Sequence, residues 1–164
     1  METASAPGQA GRTGLREPGF DSGWPGAIAS GEATGEGSQA GMAKRVLLIE
    51  DEPNIVEAIR FLLARDGWDV AAHGDGTGAI AAIRAERPDL VILDVMLPGR
   101  SGYDILQDLR AEEGFAALPV LLLTARGQAR DREMAERLGA SRYMAKPFSN
   151  SDVLAAVREM TGAG

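Results

Sequence analysis

Between residues 44 and 164 the apolar positions alternate between two textures: short solid runs, and longer stretches in which they recur every three or four residues. The runs at 45–50, 89–94 and 119–123 have apolar centres of the kind found in strands buried on both faces of a parallel sheet. Residues 68–72 form a weaker strand pattern and 142–145 a short fifth one. Between them, 53–66 places Ile55, Val56, Ile59, Leu62 and Leu63 on one helical face, with Pro53 suited to a first turn. Residues 77–87 predict an alanine-rich helix with Ile80 and Ile83 inward, and 102–113 one that packs through Ile105, Leu106 and Leu109. A short, highly charged helix is expected at 130–138, closed by Gly139. The last helix, at 152–160, has Ser149 or Ser151 as its cap. Five strands, each followed by a helix, predict an α/β domain with a doubly wound, five-stranded parallel sheet and right-handed crossovers.

Residues 1–42 lack both textures. They hold 10 of the 21 glycines, and Leu15, Phe20, Trp24 and Ile28 fall at no helical or strand period. Such a segment buries too little surface to offset its ordering entropy. It reads as a disordered glycine-rich tail, with Phe20 and Trp24 as its candidate anchors. It reads equally as an artefactual extension upstream of a start at Met42, which directly precedes Ala-Lys-Arg and the first strand. The folded domain is then 43–164.

Charge and composition narrow the chemistry. There are 17 Lys and Arg against 24 Asp and Glu, a net charge of -7, with no basic stripe, so direct nucleic-acid binding is not expected. With no cysteine and one histidine, any metal must sit on oxygen ligands. No run approaches the ~18 apolar residues of a membrane span, and the amino terminus lacks a signal-peptide core, so the expected compartment is the cytoplasm, with no membrane partner.

In open α/β sheets, ligands bind beyond the carboxyl ends of the strands, where strand order reverses. Glu50 and Asp51 close the first strand, Asp94 the third and Thr124 the fourth, while Lys146 follows the fifth. In the order 2-1-3-4-5 the first and third strands are neighbours, so three carboxylates converge and repel one another. A hard divalent cation with open water positions, Mg²⁺ rather than caged Ca²⁺, would relieve that repulsion. Lys146 and Thr124 would add the cation and hydroxyl that a phosphoryl group needs. His73 is expected at the surface, away from this cluster.

Four segments carry a resemblance: Leu-Ile-Glu50-Asp51-Glu-Pro-Asn, Val-Ile-Leu-Asp94-Val-Met-Leu-Pro-Gly-Arg-Ser-Gly, Leu-Leu-Thr124-Ala125 and Tyr143-Met-Ala-Lys146-Pro147-Phe148. Together, in this order and at these strand ends, they make residues 44–161 similar to the receiver domain of two-component response regulators, the family of the chemotaxis regulator. The resemblance implies a flavodoxin-like (β/α)5 fold with strand order 2-1-3-4-5. It implies that Asp94 accepts a phosphoryl group from a phosphohistidine on a sensor histidine kinase or histidine phosphotransfer protein. It further implies Mg²⁺ held by the side chains of Asp51 and Asp94 and the backbone carbonyl of Met96, with Glu50 acting partly through water. Lys146 would pair with Asp94 and then with the phosphoryl group, Thr124 would move to bond that group, and Tyr143 would turn inward. The Lys146–Pro147 bond would be cis, and Met96 and Arg126 would flank the pocket. The chain would catalyse only its own phosphorylation and dephosphorylation, and would not be an enzyme otherwise.

Two other classes fit less well. A haloacid-dehalogenase-type phosphohydrolase needs a second Asp two residues after its nucleophile, where this chain has Met96. A flavodoxin-like cofactor binder needs a phosphate cradle after the first strand, where Glu50-Asp51-Glu52 would repel one. Because the last helix ends close to Gly164, the chain reads as a stand-alone regulator acting on a downstream target protein. A phosphorelay intermediate, or the receiver fragment of a larger regulator, is the alternative. A monomer is expected before phosphorylation; Ser141 and Arg142 stand where the DNA-binding branch of the family commonly has two acids of a dimer lattice, so a weak or absent phosphorylation-driven dimer is expected through that surface, with a heterologous partner in its place.

Overall fold

The computed structural model describes residues 44–162. The glycine-rich segment, with Phe20 and Trp24, lies outside the described residues. The strands are β1 (Arg45–Ile49), β2 (Asp69–His73), β3 (Leu90–Asp94), β4 (Val120–Thr124) and β5 (Arg142–Ala145). The helices are α1 (Pro53–Arg65), α2 (Ala79–Glu86), α3 (Gly102–Ala111), α4 (Ala129–Arg137) and α5 (Asn150–Thr161). All strand pairs are parallel and the order is β2-β1-β3-β4-β5, as the strand-end argument requires.

Every residue of β3 and β4 is buried, which is why these two runs hold no polar position before their last residue. Right-handed crossovers send α1 to one face and α2, α3 and α4 to the other, and α5, which follows the last strand, packs against α1. The packing of α2 against α3 agrees with this. Leu48 lies beside Ile92 across β1 and β3, and Leu93 beside Leu122 across β3 and β4, all four fully buried. Each contributes about 1.5–3 kcal/mol by leaving water. This apolar centre is the rigid base from which the strand ends project.

Several boundaries differ from expectation, for local reasons. The helix expected from Thr77 starts at Ala79, because Asp75 Oδ1 accepts the Thr77 amide at 2.9 Å and holds that stretch as a turn. It ends one residue early, with Arg87 at φ 45° before Pro88. The helix expected to reach residue 113 stops at Ala111, since the next residue, Glu112, is extended. Trp68 belongs to the turn after α1, its amide bonded to Leu63 O at 3.0 Å, so β2 starts and ends one residue later than expected. Ser101 caps α3 and Ser149 caps α5, each accepting an amide at 3.1 Å. At the amino end of α3, a side chain on Gly102 would put its Cβ 2.3 Å from Asp94 O, so glycine lets the helix approach the end of β3.

Candidate functional site

The crevice between the carboxyl ends of β1 and β3 gathers the acidic residues. Glu50 is only 1% exposed. Its amide donates to His73 O at 3.0 Å, and its Oε1 accepts the amides of Asp51 (3.0 Å) and Glu52 (3.1 Å). The β1–α1 loop thus folds around this carboxylate. Asp51 is exposed beside it, and Asp94, 1% exposed, accepts the Met96 amide on Oδ1 at 3.3 Å. One carboxylate oxygen from each of Glu50, Asp51 and Asp94 lies within 4.8 Å of the others. This set of hard oxygen donors, one of them open to solvent, is able to hold a divalent cation. Met96 borders it through its amide, while its side chain points outward, 69% exposed.

Lys146 enters from the loop after β5, next to a cis peptide bond to Pro147. Its Nζ lies 2.9 Å from Glu50 Oε2, 3.3 Å from Asp94 Oδ2 and 3.3 Å from Glu52 Oε1. Burial drives the Glu50 carboxyl upward to about 7 and the Asp94 charge adds to this, while Lys146 and the Glu52 amide oppose it. Burial alone would lower Lys146, yet the surrounding carboxylates, Glu50 foremost, hold it above its ordinary value. One ammonium thus faces more negative charge than it can neutralise.

Thr124 closes β4 with 3% exposure, and its carbonyl accepts the Lys146 amide at 2.7 Å. Its hydroxyl accepts the Arg126 amide at 3.2 Å and donates to the Arg126 carbonyl at 3.3 Å. The same carbonyl accepts the Tyr143 hydroxyl at 2.9 Å, so the two side chains share one backbone acceptor. Burial, and then the Asp131 charge, raise the Tyr143 phenol above its ordinary value.

Glu50, Asp51, Asp94, Met96, Thr124 and Lys146 therefore gather at the carboxyl end of the sheet, while Tyr143, beside Leu122 within β5, reaches the loop after β4 through its hydroxyl. Glu52 was not anticipated as a partner of Lys146, and the signal for it was the third acid of the Glu50-Asp51-Glu52 run. Tyr103 carried no expectation, and Asp131 was expected only as one of the solvated charges of the helix at 130–138. Tyr103 Oη and Asp131 Oδ2 are buried without a hydrogen-bond partner among the described residues, and Asp131, after burial, raises the Tyr103 phenol. His73 corrects an expectation. It ends β2 directly beside β1, packs its ring against Gly78, and is half-buried with Nε2 enclosed, rather than standing at the surface away from the cluster. Arg142 is paired with Glu159 of α5.

The response regulator receiver domain family matches residues 46–158. This chain belongs to that family. It is 44% identical over 120 residues to the probable transcriptional regulatory protein TcrX of Mycobacterium tuberculosis, covering 73% of this chain and 50% of the relative. It is 40% identical over 117 residues to the DNA-binding response regulator MtrA of Mycolicibacterium smegmatis, covering 71% and 50%. Among solved structures, the receiver domain of a sensor histidine kinase from Pseudomonas aeruginosa, with a magnesium ion coordinated in its active-site cleft, superposes with a TM-score of 0.68. The two share 30% identity, over 74% of this chain and 99% of that one.

The receiver spans about half the length of the curated relatives it matches. Their names, one a transcriptional regulatory protein and one a DNA-binding response regulator, overturn the expectation of a downstream target protein with no direct nucleic-acid binding. The net charge of -7 describes this chain alone, and places no limit on what the unmatched half of a relative binds. No helix among the described residues is long and apolar enough to cross a membrane.

Proposed function

We propose that this receiver takes a phosphoryl group from a phosphohistidine onto Asp94, in a Mg²⁺-dependent reaction in the cytoplasm, and signals by rearranging Thr124 and Tyr143. The observation that carries this reading is the Asp94 carboxylate, buried at the point of strand reversal, with Oδ2 3.3 Å from Lys146 Nζ and the Glu50–Asp51 pair beside it. An Asp94 oxygen attacks phosphorus, the bond from phosphorus to the imidazole nitrogen breaks, and the imidazole leaves with the electron pair. A carboxylate nucleophile needs no general base.

The Asp51 and Asp94 side chains and the Met96 carbonyl would hold Mg²⁺, with Glu50 acting through water. When bound, the ion supplies positive charge facing the phosphoryl oxygens. Lys146 neutralises the remaining charge from the opposite side, and the Thr124 hydroxyl donates to a phosphoryl oxygen. Leaving Arg126 for that purpose, Thr124 gives up the carbonyl it shares with Tyr143, so phosphorylation biases the β4–α4 loop and β5 together. The chain turns over no other substrate. By likeness to relatives named as transcriptional and DNA-binding regulators, the output is control of a DNA-binding activity carried outside the receiver.

Incubation with acetyl phosphate and Mg²⁺, followed by intact-mass measurement, tests this reading. One added phosphoryl group is expected, lost in Asp94→Asn and in the presence of a chelator. No labelling of the wild type, or full labelling of Asp94→Asn, overturns it.

A further inference from the structure

Glu52 has an unusual use for a residue at the start of a helix. It occupies the cap position of α1, directly before Pro53, yet its side chain caps nothing. Its backbone is held on both sides: the amide donates to Glu50 Oε1 at 3.1 Å, and the carbonyl accepts the amides of Ile55 (3.1 Å) and Val56 (3.0 Å). The side chain is thereby committed to Lys146, 94 residues away in sequence, at 3.3 Å.

The three carboxylates around Lys146 Nζ are not equivalent. Those of Glu50 and Asp94 are enclosed, with side-chain exposures of 0% and 2%, whereas that of Glu52 is 59% exposed at the mouth of the crevice. Glu52 is also outside the group of carboxylates that converge closely enough to hold an ion. Its charge is therefore left for the incoming donor to meet. A phosphoryl group arriving at Asp94 must draw Lys146 toward itself, and Glu52 is the partner that can be displaced without unburying a charge.

We propose that Glu52 is a positioning residue that holds Lys146 at the crevice mouth and, through its negative charge, discriminates against small phosphodonors according to their charge. This rests on the reading of Asp94 as phosphoacceptor. The function of such a filter is to favour a donor delivered by a docked protein, whose binding surface supplies attraction that a free anion lacks.

The test compares labelling rates with two donors near neutral pH, acetyl phosphate as a dianion and phosphoramidate with a single net negative charge, at low salt and saturating Mg²⁺. Glu52→Gln keeps a carbonyl oxygen for Lys146 and removes the charge, while Glu52→Asp keeps the charge and shortens the reach. Glu52→Gln is expected to speed acetyl phosphate labelling roughly threefold to tenfold, and phosphoramidate labelling only by about the square root of that factor. Both gains shrink as salt is raised. Glu52→Asp is expected to retain the wild-type ratio of rates between the two donors. Equal gains with both donors, no gain with either, or Glu52→Asp matching Glu52→Gln overturns the proposal. A wild type labelled by neither donor overturns the phosphoacceptor reading, and this inference with it.

Discussion

Holding Glu50 in the fold should make the metal-free receiver less stable as pH rises toward neutrality. The carboxyl is 1% exposed, and burial shifts it from an ordinary 4.5 to about 7 in the folded chain. Between those values the folded chain binds a proton that the unfolded chain has released, so unfolding becomes more favourable with increasing pH. At about 1.4 kcal/mol per pH unit, the gap corresponds to at most ~3–4 kcal/mol of lost stability, a large share of the total for a small domain. Other shifted carboxyls do not blur the window. Asp66 and Glu112 are lowered by hydrogen bonds from Arg158 and Arg84, so whatever they contribute is lost only as pH falls below their ordinary 3.8 and 4.5. Lys146 is raised from 10.5, so its contribution is lost only at alkaline pH. Urea unfolding in the presence of a chelator, near pH 4.5 and near pH 7, measures the difference. Glu50→Gln keeps the acceptor for the Asp51 and Glu52 amides and should flatten the profile. Stability that is level or rising across the window, or a decline that persists in Glu50→Gln, would show that Glu50 does not titrate in this way.

In the same metal-free conditions, Asp94→Asn should raise stability by roughly 1 kcal/mol, because it removes a buried charge that repels Glu50; a loss in urea melts would contradict this. Adding Mg²⁺ at neutral pH should raise the wild-type melting temperature in a concentration-dependent way, and Asp51→Asn should weaken that response without lowering metal-free stability. Gly102→Ala should destabilise the domain by ~1–3 kcal/mol and slow acetyl phosphate labelling, since the new Cβ, 2.3 Å from Asp94 O, pushes α3 away from the acceptor. Leu93→Ala, at a fully buried centre of β3, should cost ~2–5 kcal/mol in urea melts.

What could be read from the sequence follows physical range. β3 and β4 were legible because burial on both faces leaves no room for alternation, and the strand-end acids and Lys146 because position relative to an apolar run is itself a sequence property. The convergence of Glu50, Asp51 and Asp94 needed one further step, the rule that ligands sit where strand order reverses. Contacts between distant segments were not legible: the reach of Glu52 to Lys146, and the Asp131 charge of α4 lying close enough to the Tyr103 phenol of α3 to raise it. Arg110 belongs with these. It donates to Gly139 O (2.9 Å), Phe115 O (3.0 Å) and Ser141 Oγ (3.4 Å), clamping the turn into β5, and no spacing in the chain announces it. Helix ends shifted where a side chain bonded its own loop, as Asp75 does with Thr77. The expectation about nucleic acid failed for a different reason: charge constrains the segment that carries it and nothing beyond.

Whether Asp94 itself forms the acyl phosphate can be read directly. Borohydride reduces an aspartyl phosphate to homoserine, so the receiver phosphorylated with acetyl phosphate and Mg²⁺, then reduced and digested, reports the site by peptide mass spectrometry. Homoserine is expected at position 94 alone, and absent when the donor or Mg²⁺ is withheld. Homoserine at Asp51 or any other aspartate, or none at position 94 in a chain that has gained a phosphoryl group, would contradict it.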